Sequence, residues 1–262
     1  MGIFDRILSG RSRVPRFGYR PDPVDERDRM LASLGLSTDV PLEATVIRRP
    51  ISIKNQLNTG SCVGQAVAQA VDLAIVGDDT KSQDRSALFV YYNSRKESGD
   101  DTIVDNGTYL RTAIKSVQKF GVCPEPAWPF SVSKVNRMPV WNAYRTAHDL
   151  RGIRGYYRID SGDLADVKRA IASGRPVVAG WQVDAAFKAY RGGGVVVGAQ
   201  HEPFVGGHAM VIVAYKAAPY GGIGSSLWTI PNSWGTGWGD NGLATVNDSF
   251  MRQARDLWAV DV

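Results

Sequence analysis

The strongest constraint on this chain is a change of pattern partway along it. Val63, Ala66, Val67, Ala70, Val71 and Ala74 recur at helical spacing and stop at Gly77. This predicts a mostly buried helix starting at or just after Cys62. A second helix is expected from Ser86 to about Glu97, and a third from Thr108 to Phe120 with Gly121 as its stop. A short helix over 163–173 is opened by Ser161 or Asp163 and closed by Gly174. Between the last two, residues 124–142 carry Pro124, Pro126, Pro129 and Pro139 and read as a crossing segment rather than a helix. Beyond them lie short β-prone runs: Pro176–Val183, Gly194–Val197, Ala209–Tyr215, Leu227–Ile230, Leu243–Val246 and Leu257–Val262. Thirteen of the 28 glycines fall in the last 71 residues, so tight turns connect these runs. Helices first and strands second indicate an α+β protein with a helical half and a sheet half.

A chain of 262 residues, 44% hydrophobic and 22% charged, can bury a sizeable core without disulfide support, which excludes a disordered or fibrous protein. No apolar run approaches the ~18 residues of a membrane-spanning helix. The net charge of +5 raises the question of a nucleic-acid partner. Its placement argues against one. Arg6, Arg11, Arg13, Arg16 and Arg20 stand in the first twenty residues with a single acid, Asp5, and the rest of the chain is nearly neutral. Residues 9–30, rich in Arg, Pro and Asp, read as an extended, weakly structured arm. Only Cys62 and Cys123 are present, so no disulfide framework supports the fold. The first eight residues lack the apolar stretch of a secretory signal, and Arg6 stands where a myristoylation signal has Ser or Thr. A cytoplasmic monomer with no membrane or nucleic-acid partner is the expectation.

Three local stretches carry chemistry. In Gln56-Leu57-Asn58-Thr59-Gly60-Ser61-Cys62, Gly60 allows a tight turn and Cys62 opens a long helix, where free amides and the helix dipole favour a thiolate. Alone, Cys62 reads as readily as a small buried cysteine. Gln56 changes that balance, because an amide a short loop upstream can donate to an oxyanion beside the Cys62 N–H. In Val205-Gly206-Gly207-His208-Ala209, His208 heads an apolar strand after two glycines, where nothing bulky shields its ring. It suits a general base facing a thiol as well as a structural histidine. In Asn232-Ser233-Trp234-Gly235-Thr236-Gly237-Trp238-Gly239-Asp240-Asn241-Gly242, Asn232 can accept from the imidazole and Trp234 can cover that bond. Neither His148 nor His201 belongs to a metal-ligand pattern.

In this order, the stretches resemble the papain family of cysteine peptidases. Gln56 and Cys62 match its Gln-x5-Cys spacing, Gly60–Cys62 its Gly-Ser-Cys triplet, His208 its strand-borne base, and Asn232–Gly242 its Asn-Ser-Trp-Gly motif. Tyr190-Arg191-Gly192-Gly193 is a weaker echo. The resemblance implies two lobes with the active site in the cleft between them, and no metal or organic cofactor. The helical left lobe would span about 55–135. The β-sheet or barrel right lobe would span about 136–262 plus 41–54, making a peptidase domain of 41–262 behind a basic arm of 1–40. It implies hydrolysis of a polypeptide through a Cys62–His208–Asn232 triad and a thioester acyl-enzyme, with Gln56 and the Cys62 N–H holding the oxyanion. Asn106, Gly107, Ala209 and Trp234 would touch the substrate, Ala209 bordering the main specificity pocket. An acyl transferase or crosslinking enzyme using the same triad, and a peptide-binding module without turnover, are the other outcomes open to this residue set. Thr59, Val63 and Gly207 depart from the plant and lysosomal members. The stretch before Ile51 is too short for their long prosegment and is similar to the compact bacterial, archaeal and viral members. There, Phe17-Gly18-Tyr19-Arg20-Pro21-Asp22 resembles a short aromatic-Arg-Pro-Asp lead, with a solvated surface arm as the alternative.

Overall fold

The computed structural model describes residues 16–47, 50–75, 84–99, 102–149, 152–198, 203–219, 222 and 224–262. Arg6, Arg11, Arg13 and His201 lie outside the described residues. In chain order the elements are β1 (Tyr19–Arg20), β2 (Glu43–Thr45), α1 (Cys62–Ala74), α2 (Ala87–Glu97), β3 (Thr108–Tyr109) and α3 (Leu110–Phe120). There follow α4 (Trp141–His148), β4 (Gly155–Ile159), α5 (Leu164–Ala172), β5 (Val177–Val183), α6 (Ala185–Ala189) and β6 (Val195–Val196). The chain closes with β7 (Gly206–Ile212), β8 (Ala214–Ala217), β9 (Ser226–Pro231), β10 (Leu243–Asn247), α7 (Asp248–Met251) and β11 (Arg255–Asp261). No helix among the described residues is long and apolar enough to cross a membrane.

The helical layer is α1, α2 and α3, with α2 packed on both of the others and α1 buried over Cys62–Leu73. Apart from Gln65, Gln69 and Asp72, themselves buried, its residues are apolar or small, so it has no solvent face to present and is enclosed. Gly64 makes the enclosure close: a Cβ there would stand 2.6 Å from the Ala87 carbonyl oxygen and 2.8 Å from Tyr91 Cβ. Ser86 caps α2 by accepting from Phe89 N–H at 3.1 Å, and Asp163 rather than Ser161 caps α5 by accepting from Asp166 N–H. Tyr144 of α4 packs its ring on Phe89 and Phe120, so α4 lies against the helical layer.

The β layer consists of a four-stranded sheet, ordered β4-β11-β5-β7, and a five-stranded sheet, ordered β2-β8-β9-β10-β6. β5 and β7 are antiparallel in register from Val177 opposite Ile212 to Val183 opposite Gly206. α1 packs on β7, which joins the two layers and sets Cys62 under the start of that strand.

Three expectations change. Residues 108–109 form a strand, not the first turn of α3, because they pair with β1. The proline-bearing 124–142 segment contains 3-10 turns at Glu125–Ala127 and Val132–Lys134 and ends in the first residues of α4. Most importantly, the arm from residue 16 onward is not a loose extension. Tyr19 and Leu31 are core residues, and β1 pairs in parallel with β3, Tyr19 opposite Thr108.

Candidate active site

Gln56 is placed by backbone pairing between two loops. Its N–H donates to the Ser233 carbonyl at 2.8 Å, Gly235 N–H donates to the Lys54 carbonyl at 3.0 Å, and Asn55 bridges to Trp234. Lys54 itself is held by a buried ion pair with Asp72 of α1, 3.2 Å long. The Ser233 hydroxyl donates to Gln56 Oε1 at 2.7 Å. That bond fixes the amide's orientation, so Nε2 points the other way, donating to the Thr59 and Arg16 carbonyls, each at 2.8 Å. Sequence reasoning singled out Gln56 and passed over Ser233, whose only signal was its place in the Asn-Ser-Trp motif.

Asn232 Oδ1 accepts the Ser233 N–H at 2.7 Å and lies 2.8 Å from His208 Nε2. An oxygen already receiving a backbone N–H is an acceptor, so His208 carries its proton on Nε2 and presents Nδ1 as the basic nitrogen. Nδ1 has no hydrogen-bond partner. Trp234 lies over the ring with centroids 4.6 Å apart. His208 is fully buried, contrary to the expectation of an unshielded ring, because Trp234 covers one side and Phe17 approaches edge-on at 6.4 Å.

Cys62 is equally buried, at the N-terminus of α1, with the backbone amides of Ala209, Gly18 and Val63 turned toward its sulfur. Burial outweighs those amides and pushes the thiol up to about 11, while burial pulls the His208 imidazolium down to about 4. At neutral pH both groups are therefore uncharged in this state. The helix-terminus argument for a thiolate is overridden by desolvation.

The arm closes the open side of the site. Gly18 lies across Gly60, where any Cβ would collide with the Gly60 carbonyl, and its own carbonyl accepts Thr108 N–H at 2.9 Å. Gly107, at φ +84°, faces that same carbonyl and leaves no room for a side chain. Phe17 meets Trp234 edge-on at 6.2 Å, and Tyr19 runs into the wall made by Gly180 and Gly207. Arg16 pairs with Asp105 at 3.5 Å, and Arg20 stacks over Tyr109 at 4.4 Å. The structure thus brings Gln56, Cys62, His208, Asn232, Gly107, Ala209 and Trp234 to one place, and leaves Asn106 exposed at the turn before Gly107. Cys123 is a second free, buried cysteine under α2, its backbone carbonyl accepting Ser86 N–H. No group of three or more metal-binding side chains occurs among the described residues.

A cysteine at a helix start, an asparagine-bound histidine at a strand end and an amide beside the thiol are the arrangement that thiol-peptidase chemistry calls for. A model of the papain family of cysteine proteases matches residues 45–254, and the chain belongs to that family. It is 30% identical over 221 residues to an uncharacterized peptidase C1-like protein of Acanthamoeba polyphaga mimivirus, covering 79% of this chain and 68% of that protein. With mouse cathepsin K it is 26% identical over 195 residues, 74% of this chain and 55% of the relative. It therefore spans about half to two thirds of these relatives' length. Among solved structures it is similar to xylellain, a cysteine protease from Xylella fastidiosa, with a TM-score of 0.81, 25% identity, and 96% and 98% of the two chains covered. The fold also matches that of procathepsin L 3 from Tenebrio molitor larval midgut, with a TM-score of 0.71 at 17% identity and 96% and 77% coverage.

Proposed function

We propose that this chain hydrolyses peptide bonds through Cys62, His208 and Asn232, and that the arm segment from Arg16 to Asp22 holds it latent. The observation carrying this reading is the arm itself, a peptide lying across Cys62 with one carbonyl on Gln56 Nε2 and one on Thr108 N–H. When the arm withdraws, water re-enters the cleft, and the desolvation that keeps both groups neutral is relieved. The thiol proton passes to His208 Nδ1, and the α1 terminus with the Ala209 and Val63 amides favours the thiolate. The sulfur attacks a substrate carbonyl, and the oxyanion takes hydrogen bonds from the Cys62 N–H and Gln56 Nε2. His208 returns the proton to the leaving amine. Water, activated by the neutral His208, then splits the thioester, releasing the acid and regenerating the thiol. Residues 1–40 are in this reading a regulatory arm on a peptidase body of 41–262.

The test compares wild type, Gly18→Val and Cys62→Ala for labelling by a thiol-directed epoxide and for cleavage of a peptide library. Gly18→Val is expected to label faster and cleave faster than wild type, and Cys62→Ala to do neither. A folded Gly18→Val protein whose Cys62 labels while no peptide is cut would overturn the peptidase reading.

A further inference from the structure

Three large apolar side chains stand in water within four positions at the start of α4. Met138 is 67% exposed, Val140 51% and Trp141 73%. Single exposed apolar residues are ordinary on any protein surface, but a contiguous group of them marks a contact face. Packing on the other side of the helix explains why they are outside. α4 buries Ala143 and Ala147, and Tyr144 packs on Phe89 and Phe120 and donates its hydroxyl to Asn93 Oδ1 at 2.8 Å. Trp141 and Arg145, one turn apart on the exposed face, are left to each other, with the guanidinium 5.1 Å from the ring centroid.

The face is cationic as well as apolar. Residues 131–148 contain Lys134, Arg137 and Arg145 and no aspartate or glutamate, Asp149 being the first acid after them. Lys134 lies over the Trp128 ring at 4.8 Å and Arg145 over Trp141, and none of the three cations meets a carboxylate among the described residues. Their charge is therefore available to a partner.

The basic arm emerges beside this face. Arg95 Nη1 donates both to the Val104 carbonyl at 2.6 Å and to Asn136 Oδ1 at 2.8 Å, which ties the turn at 104–106 to the loop leading into Met138. Val104 is a further exposed apolar residue. Its neighbour Asp105 pairs with Arg16, whose own side chain is mostly in water. The fifteen residues before Arg16, outside the described residues, carry Ile3, Phe4, Ile7 and Leu8, and Arg6, Arg11 and Arg13 against the one acid Asp5. Fifteen residues reach roughly 50 Å when extended, ample to lie alongside the Met138–Arg145 face.

The sign of the charge selects the occupant. The arm itself does not fit, because a basic segment on a basic face is repelled. A second copy fits no better, since it would set Arg137 and Arg145 against the same cations. The occupant is anionic, and it accepts apolar side chains that project outward. A bilayer surface of acidic phospholipid does both: an indole ring sits at headgroup level, its apolar neighbours enter the acyl boundary, and guanidinium heads reach phosphate. Shallow insertion alone holds weakly, and a polybasic segment supplies a second anchor. We propose that Met138, Val140 and Trp141, with Lys134, Arg137 and Arg145, dock this protein on an anionic lipid surface, the arginines before Arg16 making a second contact. The expectation of no membrane partner rested on the lack of a spanning segment, which does not bear on a peripheral contact of this kind. The proposal goes beyond the peptidase reading and is independent of it.

The experiment sediments the full chain, carrying Cys62→Ala, with vesicles of phosphatidylcholine alone or with phosphatidylserine added. Binding is expected only to the acidic vesicles, weakening as salt is raised. Each cation near an acidic leaflet is worth about fivefold in partitioning, so Arg137→Gln with Arg145→Gln is expected to lower binding roughly twentyfold. Trp141→Ala is expected to lower it about tenfold. Leu42→Ser, at an exposed apolar site elsewhere, is expected to leave it unchanged. Replacing Arg6, Arg11 and Arg13 with glutamine is expected to weaken binding while preserving the Trp141 effect. Thermal unfolding should match the parent for the α4 variants, since Arg137, Trp141 and Arg145 are all exposed. No binding to acidic vesicles overturns the proposal, as does binding that depends on the arm arginines but not on Trp141, Arg137 or Arg145. A Trp141-dependent dimer in sedimentation velocity, or Trp141-dependent capture by polyglutamate without lipid binding, assigns the face to a second copy or an acidic protein and overturns it equally.

Discussion

The carbonyl oxygen of Arg16 accepts a hydrogen bond from Gln56 Nε2 at 2.8 Å. The amide proton that an attacked carbonyl would need is therefore already spent on the chain's own arm. Two residues further on, Gly18 covers the thiol. In the proposed latent state it is occupancy and dryness, not a misplaced side chain, that hold the site closed.

Replacing Gly18 with valine tests occupancy. The Cβ has no space beside the Gly60 carbonyl, so the segment must lift. Alkylation of Cys62 at pH 7 is expected to accelerate at least about tenfold, because relief of burial returns the thiol toward its ordinary range, and one pKa step is about a tenfold change in thiolate. Stopped-flow or intact-mass labelling reads it directly.

Gln56→Ala separates arm binding from turnover. It removes the donor to Arg16 and the oxyanion donor together. Cys62 should label faster than in wild type, while kcat on the arm-displaced background should fall about a hundredfold, the usual cost of one oxyanion donor. If kcat is unchanged, the oxyanion does not sit at Gln56.

The pH response follows from two groups of opposite sign. Arm docking completes the burial that lowers His208 from 6.5 to about 4, a contribution present above 6.5 and lost as pH falls through 4. It raises Asp22 from 3.8 to about 6, by burial first and the Asp256 charge second, a contribution present below 3.8 and lost as pH rises through 6. The two offset each other between pH 6 and 4, so wild-type labelling should change little there. Asp22→Asn leaves His208 alone, and its arm should release as pH falls below 6.5. Labelling by a reagent reactive in acid, such as a disulfide exchanger, measures this.

Gly64→Val probes the frame beneath the site. With 2.6 Å to the Ala87 carbonyl, α1 and α2 must separate to admit a side chain. Overpacking of this kind costs about 1–3 kcal/mol. Thermal unfolding should register it as a lowered Tm, and Cys62, at the start of the displaced helix, should label at an altered rate.

Local patterns in the chain already contained α1 with Cys62 at its head, the strand led by His208, the Asn232 loop and the α+β order of elements. Those features depend on residue spacing within one segment, on side-chain periodicity and on the glycines that turn the chain. Gln56 was legible because it stands six residues from Cys62 in the same loop. The start of α3 was misplaced because Thr108 and Tyr109 pair with a strand 89 residues earlier, a partner no local window contains.

By itself, then, the sequence determined which side chains could react and in what kind of elements they stand. Only the tertiary structure decided that residues 16–22 lie in the cleft, that Ser233 orients Gln56, and that the Tyr19 hydroxyl meets Asp256. The reason is physical. Tyr19 and Asp256 are 237 positions apart, and their hydrogen bond exists only after the β11 bulge, the glycines of β5 and β7 and the pairing of β1 with β3 have closed around the same ring. Those closures also remove water from Cys62 and His208, so even the protonation state of the reactive pair is a property of the folded whole.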